Sequence, residues 1–373
     1  MNYFLKDIIA SNLKGLYLKN YLKLLFILGL TFICITPSFA AKKVKWKLAM
    51  SWPKTLTPLS TVPLRVSSLV KEMSGGKFTI KVHGKERHKA PLSILEMVKN
   101  NYYEMGHSTS YYYKGQDIAT ALLTTAPFGL NSDEQYAWYY YGGGEALTKK
   151  VYDKFNVNSY PGGNTGVQMG GWFKNEITSL EDFKGLKMRI PGIAGEVFAK
   201  LGVNVTNIAG GELYTSLDRG VIDAVEFVSP SLDIKMGFHK LAPFYYTGWH
   251  EPASEMQFFV NKKAFEDLPN EYQLILKIAM KVATSEMFTD NYHKNVVAWE
   301  KMKEEYPGIK VKTFPQEVLK AMKKASDEVL LQYSKQNKLF KEIYESQQNY
   351  LKKARPWTNI SEYDYITTSN SVK

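Results

Sequence analysis

Alternating and helically spaced apolar residues predict an α/β order from the start of the folded chain. Segment 45–51 alternates apolar and polar residues, which predicts a strand. Apolar residues in 59–73 recur at helical spacing and stop before Gly75-Gly76, and segment 78–82 alternates again. A strand, a helix and a strand in this order predict a parallel crossover.

Three further elements continue this first lobe. Pro91 begins a helix, and segment 105–113 predicts the following strand, which ends in three consecutive tyrosines. Any one of these tyrosines is either a packed wall residue or a ring placed over a ligand. Segment 134–141 predicts an aromatic-rich helix that ends at a triple glycine. The triple glycine lacks the spacing and the Lys-Ser/Thr ending of a phosphate-binding loop.

The central part of the chain repeats the α/β order. Strands are predicted at 186–190, 203–208 and 222–228, and helices at 193–201 and 212–219. These elements predict a second open α/β lobe.

The C-terminal third is mainly helical. Segment 256–260 predicts an apolar strand that returns the chain to the first lobe, and Pro269 begins a long helix that extends to about Glu305. After a short strand at 309–313, a helical stripe begins at Val318 and continues toward residue 355. This stripe must be buried against the chain's own lobes or against another subunit.

The first forty residues have the pattern of a secretory signal. Lysines precede the apolar stretch LLFILGLTFICI, and small residues at Ser38 and Ala40 predict cleavage after Ala40. The apolar stretch is too short for a membrane anchor, which is the alternative. The only cysteine, Cys34, lies inside it, so the mature chain is expected to have no disulfide and no thiolate site.

Charge and motifs exclude several classes of protein. The net charge is +12, but the lysines are spread along the chain without a basic helix, so nucleic acid is not an expected partner. Neither a Gly-x-Ser-x-Gly elbow nor a His-Glu-x-x-His motif is present, and the six histidines are dispersed. The sequence therefore gives little indication of catalysis: His107 and His250 could each serve as a base, but an isolated histidine is more often structural.

Four polar residues lie where predicted strands run into Gly or Pro turns. They are Gln168, Arg189, Glu226 and Glu251. Strand ends of this kind are where an α/β protein presents side chains to a ligand. This part of the chain, from Gly166 to Glu251, is the candidate site.

The residue types point to an acidic solute and a cation. The guanidinium of Arg189 matches a carboxylate in two parallel hydrogen bonds, although an arginine at a strand end is also commonly an exposed charge. Glu226, among apolar neighbours, needs a cationic partner: Arg189, a lysine or a metal ion. The amide oxygen of Gln168 suits hard cations such as sodium or calcium. A secreted metal-assisted hydrolase with Glu226 or Glu251 as base is the alternative.

The segments QMGGWF, GLKMRIPG, GGELYTSLDRGVIDAVEFVSP and GWHEP resemble the solute-binding proteins of tripartite ATP-independent periplasmic (TRAP) transporters. The resemblance is strongest to the branch for α-keto acids, lactate and related monocarboxylates, and it extends over nearly the whole mature chain. It implies a periplasmic receptor, not an enzyme, with a two-lobed fold of the periplasmic-binding-protein (type II) class, a hinge and long C-terminal helices. It also implies a small organic acid as ligand and the small and large membrane permease subunits as partners.

The resemblance implies a role for each site residue. Arg189 holds the substrate carboxylate, and Tyr112 reaches the ligand. Gln168, Glu226 and the backbone carbonyl of Phe227 hold a sodium or calcium ion, with Glu251 as a further ligand. Gln168, Phe227 and Trp249 complete the predicted substrate site. The family usually has tryptophan where this chain has Phe227, which makes the pocket wall smaller.

The expected organisation follows from the resemblance and the pattern together. Residues 1–40 form the signal peptide, 41–165 the first part of lobe I and 166–254 lobe II. Residues 255–316 return to lobe I with the long helix, and 317–373 form a C-terminal helical segment. Similar C-terminal helices form dimers in some members of this branch, so a homodimer is expected through this segment.

Overall fold

A computed structural model describes residues 19–21, 23 and 42–372 of the 373-residue chain. The chain divides into two units, Met1–Lys43 and Val44–Lys373. The predicted signal peptide lies outside the described residues, except for the helical residues 19–21 and 23. None of the described helices combines the length and the apolar character that a membrane crossing requires.

The strands of the second unit are short and form two sheets. Within residues 42–372 they are β1 (Val44–Met50), β2 (Phe78–His83), β3 (Met105–Thr109), β4 (Val157–Asn164), β5 (Gly171–Phe173), β6 (Lys187–Arg189), β7 (Asn204–Thr206), β8 (Ala224–Val225), β9 (Phe244–Tyr246), β10 (Glu255–Asn261) and β11 (Lys310–Lys312).

Helices separate most of these strands and make up the C-terminal third. In the same range they are α1 (Thr61–Met73), α2 (Lys85–His88), α3 (Ile94–Lys99), α4 (Ala119–Thr124), α5 (Ser132–Tyr141), α6 (Gly144–Asp153), α7 (Gly192–Lys200), α8 (Leu213–Asp218), α9 (Pro230–Met236), α10 (Lys262–Glu266), α11 (Asn270–Glu305), α12 (Gln316–Gln336), α13 (Lys338–Thr358) and α14 (Asp364–Ser371).

The first sheet has the order β2-β1-β3-β10-β4. Strand β1 pairs in parallel with β2 and β3, whereas β10 is antiparallel to β3 and β4. Helix α1 connects β1 to β2, so the predicted parallel crossover is confirmed. Val66 and Val70 of α1 are fully buried. Their burial accounts for the helical spacing in this segment.

The second sheet has the order β11-β9-β5-β8-β6-β7. Its strands β7, β6 and β8 are mutually parallel, and β5 is antiparallel to β8 and β9. The predicted division assigns residues 255–316 to lobe I, but β11 pairs with β9 in the second sheet. The first lobe is hereafter the part built on the first sheet, and the second lobe is the part built on the second sheet.

The long helix α11 contacts both lobes. Its Thr284 donates a hydrogen bond to the carbonyl of Pro161 in β4, and its Asn295 accepts one from the backbone of Ser231 in α9. Together with the two sheets, this arrangement confirms the two-lobed α/β fold.

Helices α12 and α13 lie against the chain's own lobes. Helix α12 packs on α7, and α13 packs on α4, α5 and α6. Ser346 of α13 accepts a hydrogen bond from the buried indole of Trp138, and Arg355 pairs with the buried Glu134. Helix α14, in contrast, has no buried residue.

The prediction of a strand through Tyr113 is wrong in its second half. Strand β3 ends at Thr109, and residues Ser110–Tyr113 form a 3-10 helix, called the tyrosine turn below. Ser110 explains the change: its backbone and hydroxyl donate to the amide oxygen of Gln257 in the neighbouring β10. This side-chain partner replaces the next ladder bond, and tertiary context overrides the β-propensity of tyrosine.

Candidate functional site

Arg189 lies at the end of β6, where the chain turns into α7. Its side chain is only 1% exposed. Nη1 donates to the backbone oxygen of Glu226 at 2.6 Å and to its carboxylate at 3.1 Å, and Nε donates to the backbone oxygen of Ile208 at 3.2 Å. These bonds hold the guanidinium in one orientation, as a geometric carboxylate anchor requires.

A cleft opens beside Arg189. Gln168, Arg189 and Phe227 line it together with Tyr112 of the tyrosine turn. Other wall residues are mostly apolar and include residues that follow β1: Trp52, Pro53, Leu56 and Leu59. Polar groups are therefore few and an apolar wall faces them, as in sites for small organic ligands.

Tyr112 and Arg189 bring one residue from each lobe to this cleft. Burial raises the pKa of Tyr112, and the charge and hydrogen bonding of Arg189 partly lower it. The hydroxyl of Tyr112 therefore remains a neutral donor at physiological pH and lies within the influence of the guanidinium. The two side chains therefore offer neighbouring hydrogen-bond donors to the cleft.

Behind the cleft, Glu226, His250 and Glu251 form a buried group, called the acid cluster below. One ligand atom from each residue lies within 4.8 Å of the others. Glu226 Oε1 is 3.4 Å from His250 Nε2, but the two are not hydrogen-bonded. Glu226 Oε1, Glu251 Oε2 and both ring nitrogens of His250 are buried without a hydrogen-bond partner. Such orphaned atoms are costly unless something else binds them.

Burial disfavours charge on every member of the acid cluster. Burial raises the pKa of Glu226 to about 8, although Arg189 opposes the shift. Burial and the neighbouring Glu226 raise the pKa of Glu251 to about 7, and burial lowers the pKa of His250 to about 4. All three shifts oppose charge in the cluster, and a bound cation would favour the ionised carboxylates.

Gln168 joins the cleft to the acid cluster. Its backbone N–H donates to the carbonyl of Glu251, and its side-chain nitrogen donates to Thr165. These bonds fix the amide, and Gln168 Oε1 is left buried without a hydrogen-bond partner. One amide oxygen and two carboxylate oxygens, all without partners, fit the preference of a hard cation such as sodium or calcium.

The structure does not place Trp249 on the cleft wall. Its indole is 6% exposed and stacks on Phe198 with ring centroids 5.1 Å apart. Its backbone oxygen accepts a bond from Phe128 of the first lobe. The side chain is thus part of the core beneath the site, because its large apolar surface is buried there.

His250 is the cluster residue that the sequence did not assign to the cation site. An isolated histidine gives no motif, and only its position between Trp249 and Glu251 in GWHEP could have indicated it. Phe227 lies beside Arg189, with its ring centroid 6.0 Å from the guanidinium. Gly210 leaves room for this ring, since a Cβ there would lie 2.9 Å from it.

Comparison with known families gives a match over most of the chain. The sequence profile of the bacterial extracellular solute-binding proteins, family 7 (DctP), matches residues 48–336. A protein of Nostoc sp. (strain PCC 7120), named a monocarboxylate 2-oxoacid-binding periplasmic protein, is 41% identical over 332 residues. That match covers 88% of this chain and 90% of the Nostoc protein.

Solved structures with the same fold contain ligands. A TRAP solute-binding protein of Colwellia psychrerythraea, with calcium and pyruvate, is 50% identical with a TM-score of 0.87, over 88% of this chain and all of that one. One from Pseudoalteromonas atlantica, with sodium and pyruvate, is 49% identical with a TM-score of 0.86, over 87% and 99%. A Bordetella bronchiseptica protein, a dimer with calcium and picolinate, is 35% identical with a TM-score of 0.86, over 89% and 98%.

Proposed function

The chain belongs to the bacterial extracellular solute-binding proteins of family 7, and we propose that it is the periplasmic receptor of a TRAP transporter for small 2-oxo or 2-hydroxy monocarboxylates. Pyruvate, another α-keto acid or lactate is the ligand, and the membrane permease subunits receive it. The receptor is exported through the signal peptide predicted at residues 1–40. Its family is one of binding proteins, so the hydrolase alternative is set aside.

One observation supports this proposal most strongly: the carboxylate of Glu226 binds the guanidinium of Arg189 and also belongs to a group of buried oxygens without hydrogen-bond partners. The same carboxylate accepts from the Arg189 guanidinium through Oε2 and presents Oε1 without a hydrogen-bond partner. A 2-oxo or 2-hydroxy acid has a carboxylate for the arginine and an adjacent oxygen for a cation. Such a ligand uses both parts of the site at once, whereas a plain carboxylate uses one.

Gln168, Glu226, Glu251 and the carbonyl of Phe227 are the proposed cation ligands. The cation supplies a Lewis-acidic contact to the ligand's 2-oxygen and compensates the buried glutamates. With both glutamates ionised, Arg189, the two carboxylates, a divalent ion and a monocarboxylate sum to neutrality. With one glutamate protonated, a monovalent ion gives the same result. Calcium is therefore favoured at higher pH and sodium at lower pH, because a buried net charge is costly.

A thermal-shift series tests the function. The protein beginning at Ala41 is heated with 2-oxo acids, 2-hydroxy acids, dicarboxylates and unsubstituted monocarboxylates, with and without calcium in a sodium-free buffer. A ligand that binds only the folded state raises Tm. We expect the largest increase for the 2-oxo or 2-hydroxy acids, and only with the cation. The absence of any increase across the series, or turnover of a bound acid, would overturn the proposal.

We also propose a homodimer through the C-terminal segment. Large apolar side chains there are exposed to solvent; they include Trp357 (68%), Ile360 (70%), Tyr363 (66%) and Tyr365 (71%). An exposed apolar patch of this kind is commonly a protein interface. Light scattering should give a dimer for the full mature chain and a monomer for Trp357→Ser/Tyr365→Ser. A monomeric unmodified chain would contradict this proposal.

A further inference from the structure

Lys114 connects the two turns that carry Tyr112 and Arg189. It is the first residue after the tyrosine turn of the first lobe. Its ammonium donates to the backbone oxygen of Gly192 at 3.2 Å and pairs with the carboxylate of Glu196, both in α7 of the second lobe. One side chain thus joins the two lobes close to both ligand-binding residues. Lys114 is two residues after Tyr112, and its acceptor Gly192 is three residues after Arg189.

The contact lies in a close approach of backbone. Gly192 has φ +69, and a Cβ at this position would lie 3.2 Å from the ring of Tyr111. The tyrosine turn therefore packs directly on the turn that follows Arg189. Any rotation that separates the lobes must break both this packing and the bonds of Lys114.

The position of Lys114 is not explained by a stabilising effect on helix α7 alone. Gly192 is the first residue of α7, and a cation near a helix N-terminus opposes the helix dipole. The side chains of Lys114 and Glu196 are 30% and 35% exposed, so their attraction is less screened than that of a fully exposed pair. The position of the Lys114 ammonium therefore favours a contact between the lobes, although it does not stabilise α7 itself.

A second lysine contact crosses between the lobes and is weaker. Lys235 of α9 donates to the backbone and hydroxyl oxygens of Thr57, each at 3.4 Å. Lys114 has an ion pair as well as a hydrogen bond. It is therefore the stronger candidate for holding the lobes together.

We propose that Lys114 is a positioning residue that retains the bound acid by fixing the tyrosine turn against the turn after Arg189. This inference rests on the proposed function, because it concerns the same cleft. Lys114 acts through these two turns and does not contact the ligand. Loss of Lys114 should therefore increase the rate of ligand release. The association rate should change little, because the ligand enters while the cleft is open.

Stopped-flow tryptophan fluorescence with pyruvate and calcium measures both rates. We expect Lys114→Met to increase koff about fivefold, as the loss of one partly buried ion pair predicts, with kon within twofold of the wild type. Lys114→Arg should restore koff, and the exchange Lys114→Glu/Glu196→Lys should restore it in part. Lys323→Met is the matched control, since Lys323 pairs with Asp327 inside α12. An unchanged koff in Lys114→Met, or an equal change in Lys323→Met, would overturn the inference.

A distance measurement separates this inference from the proposed function. The sequence has one cysteine, Cys34, so nitroxide labels at Lys81→Cys and Glu181→Cys of the protein beginning at Ala41 are specific, with one label on each lobe. Without ligand, Lys114→Met should shift the distance distribution toward more separated lobes, and superimposable distributions would overturn the inference. A wild type that binds none of the acids would instead refute the proposed function, and the distance comparison would still decide whether Lys114 holds the two lobes together.

Discussion

Replacement of Arg189 by lysine tests the carboxylate anchor while it keeps the positive charge. The side chain is buried at 1% exposure and its carboxylate partner, Glu226, at 0%. Arg189→Ala would leave Glu226 buried and unpaired, which typically costs about 3–5 kcal/mol of stability. Arg189→Lys avoids most of that loss, so an effect on binding can be separated from an effect on folding.

The magnitude follows from the hydrogen bonds that one nitrogen cannot make. Arginine uses Nε and Nη1 for Ile208 and Glu226, and its fork can serve a ligand as well. Lysine has a single nitrogen on a more flexible side chain, so it can bind Glu226 or the ligand at full strength, but not both. Loss of one or two charge-assisted hydrogen bonds to the ligand costs about 2–3 kcal/mol, which is roughly a 30- to 150-fold increase in Kd.

Isothermal titration with pyruvate and calcium measures this change, and thermal unfolding without ligand reports the stability. Arg65→Lys is the matched control, because Arg65 makes a two-point contact with Glu286 on the surface, away from the cleft. We expect the control to bind like the wild type. A Kd for Arg189→Lys within threefold of the wild type would refute the role of the guanidinium fork.

Three other substitutions have definite outcomes. Glu226→Gln keeps an oxygen that accepts from Arg189 but removes the charge; calcium should then no longer raise Tm, and a persistent increase would exclude Glu226 as a ligand. Tyr112→Phe should weaken pyruvate binding about fivefold through the loss of one hydrogen bond, measured by titration; unchanged affinity would remove Tyr112 from the site. Burial lowers the pKa of His107 from 6.5 to about 4, so the unfolded chain takes up the proton first and stability falls as pH drops through this range. Urea unfolding at pH 7 and pH 5 should show a decrease about 2 kcal/mol smaller in His107→Gln; equal decreases would contradict the assignment.

Long periodic segments and strand-end motifs were predictable from the sequence. Helix α11 begins after Pro269 and ends at Glu305, as the pattern predicts, because a proline start and a buried stripe are local signals. Arg189 and Gln168 were identifiable in the same way, since each lies beside a Gly or Pro turn at a strand end. The family resemblance then supplied the roles that residue chemistry left open.

Features that depend on contacts between distant segments were not predictable. Strand β4 contains Pro161, Gly162 and Gly163, and forms only because β10 pairs along it. Strand β11 has the pattern of any short alternating segment, so its sequence does not show which sheet it joins. Its pairing with β9 places it in the second sheet. The place of His250 in the acid cluster depends in the same way on Glu226, which is 24 positions earlier in the sequence.

We propose that one arginine and one cation hold the same small acid. Calorimetric titration of pyruvate into the mature chain, first with calcium and then after removal of all calcium and sodium, tests it most directly. We expect one molecule of pyruvate per chain with the cation and at least a tenfold weaker affinity without it. Equal affinity in the two conditions would contradict a shared arginine and cation site.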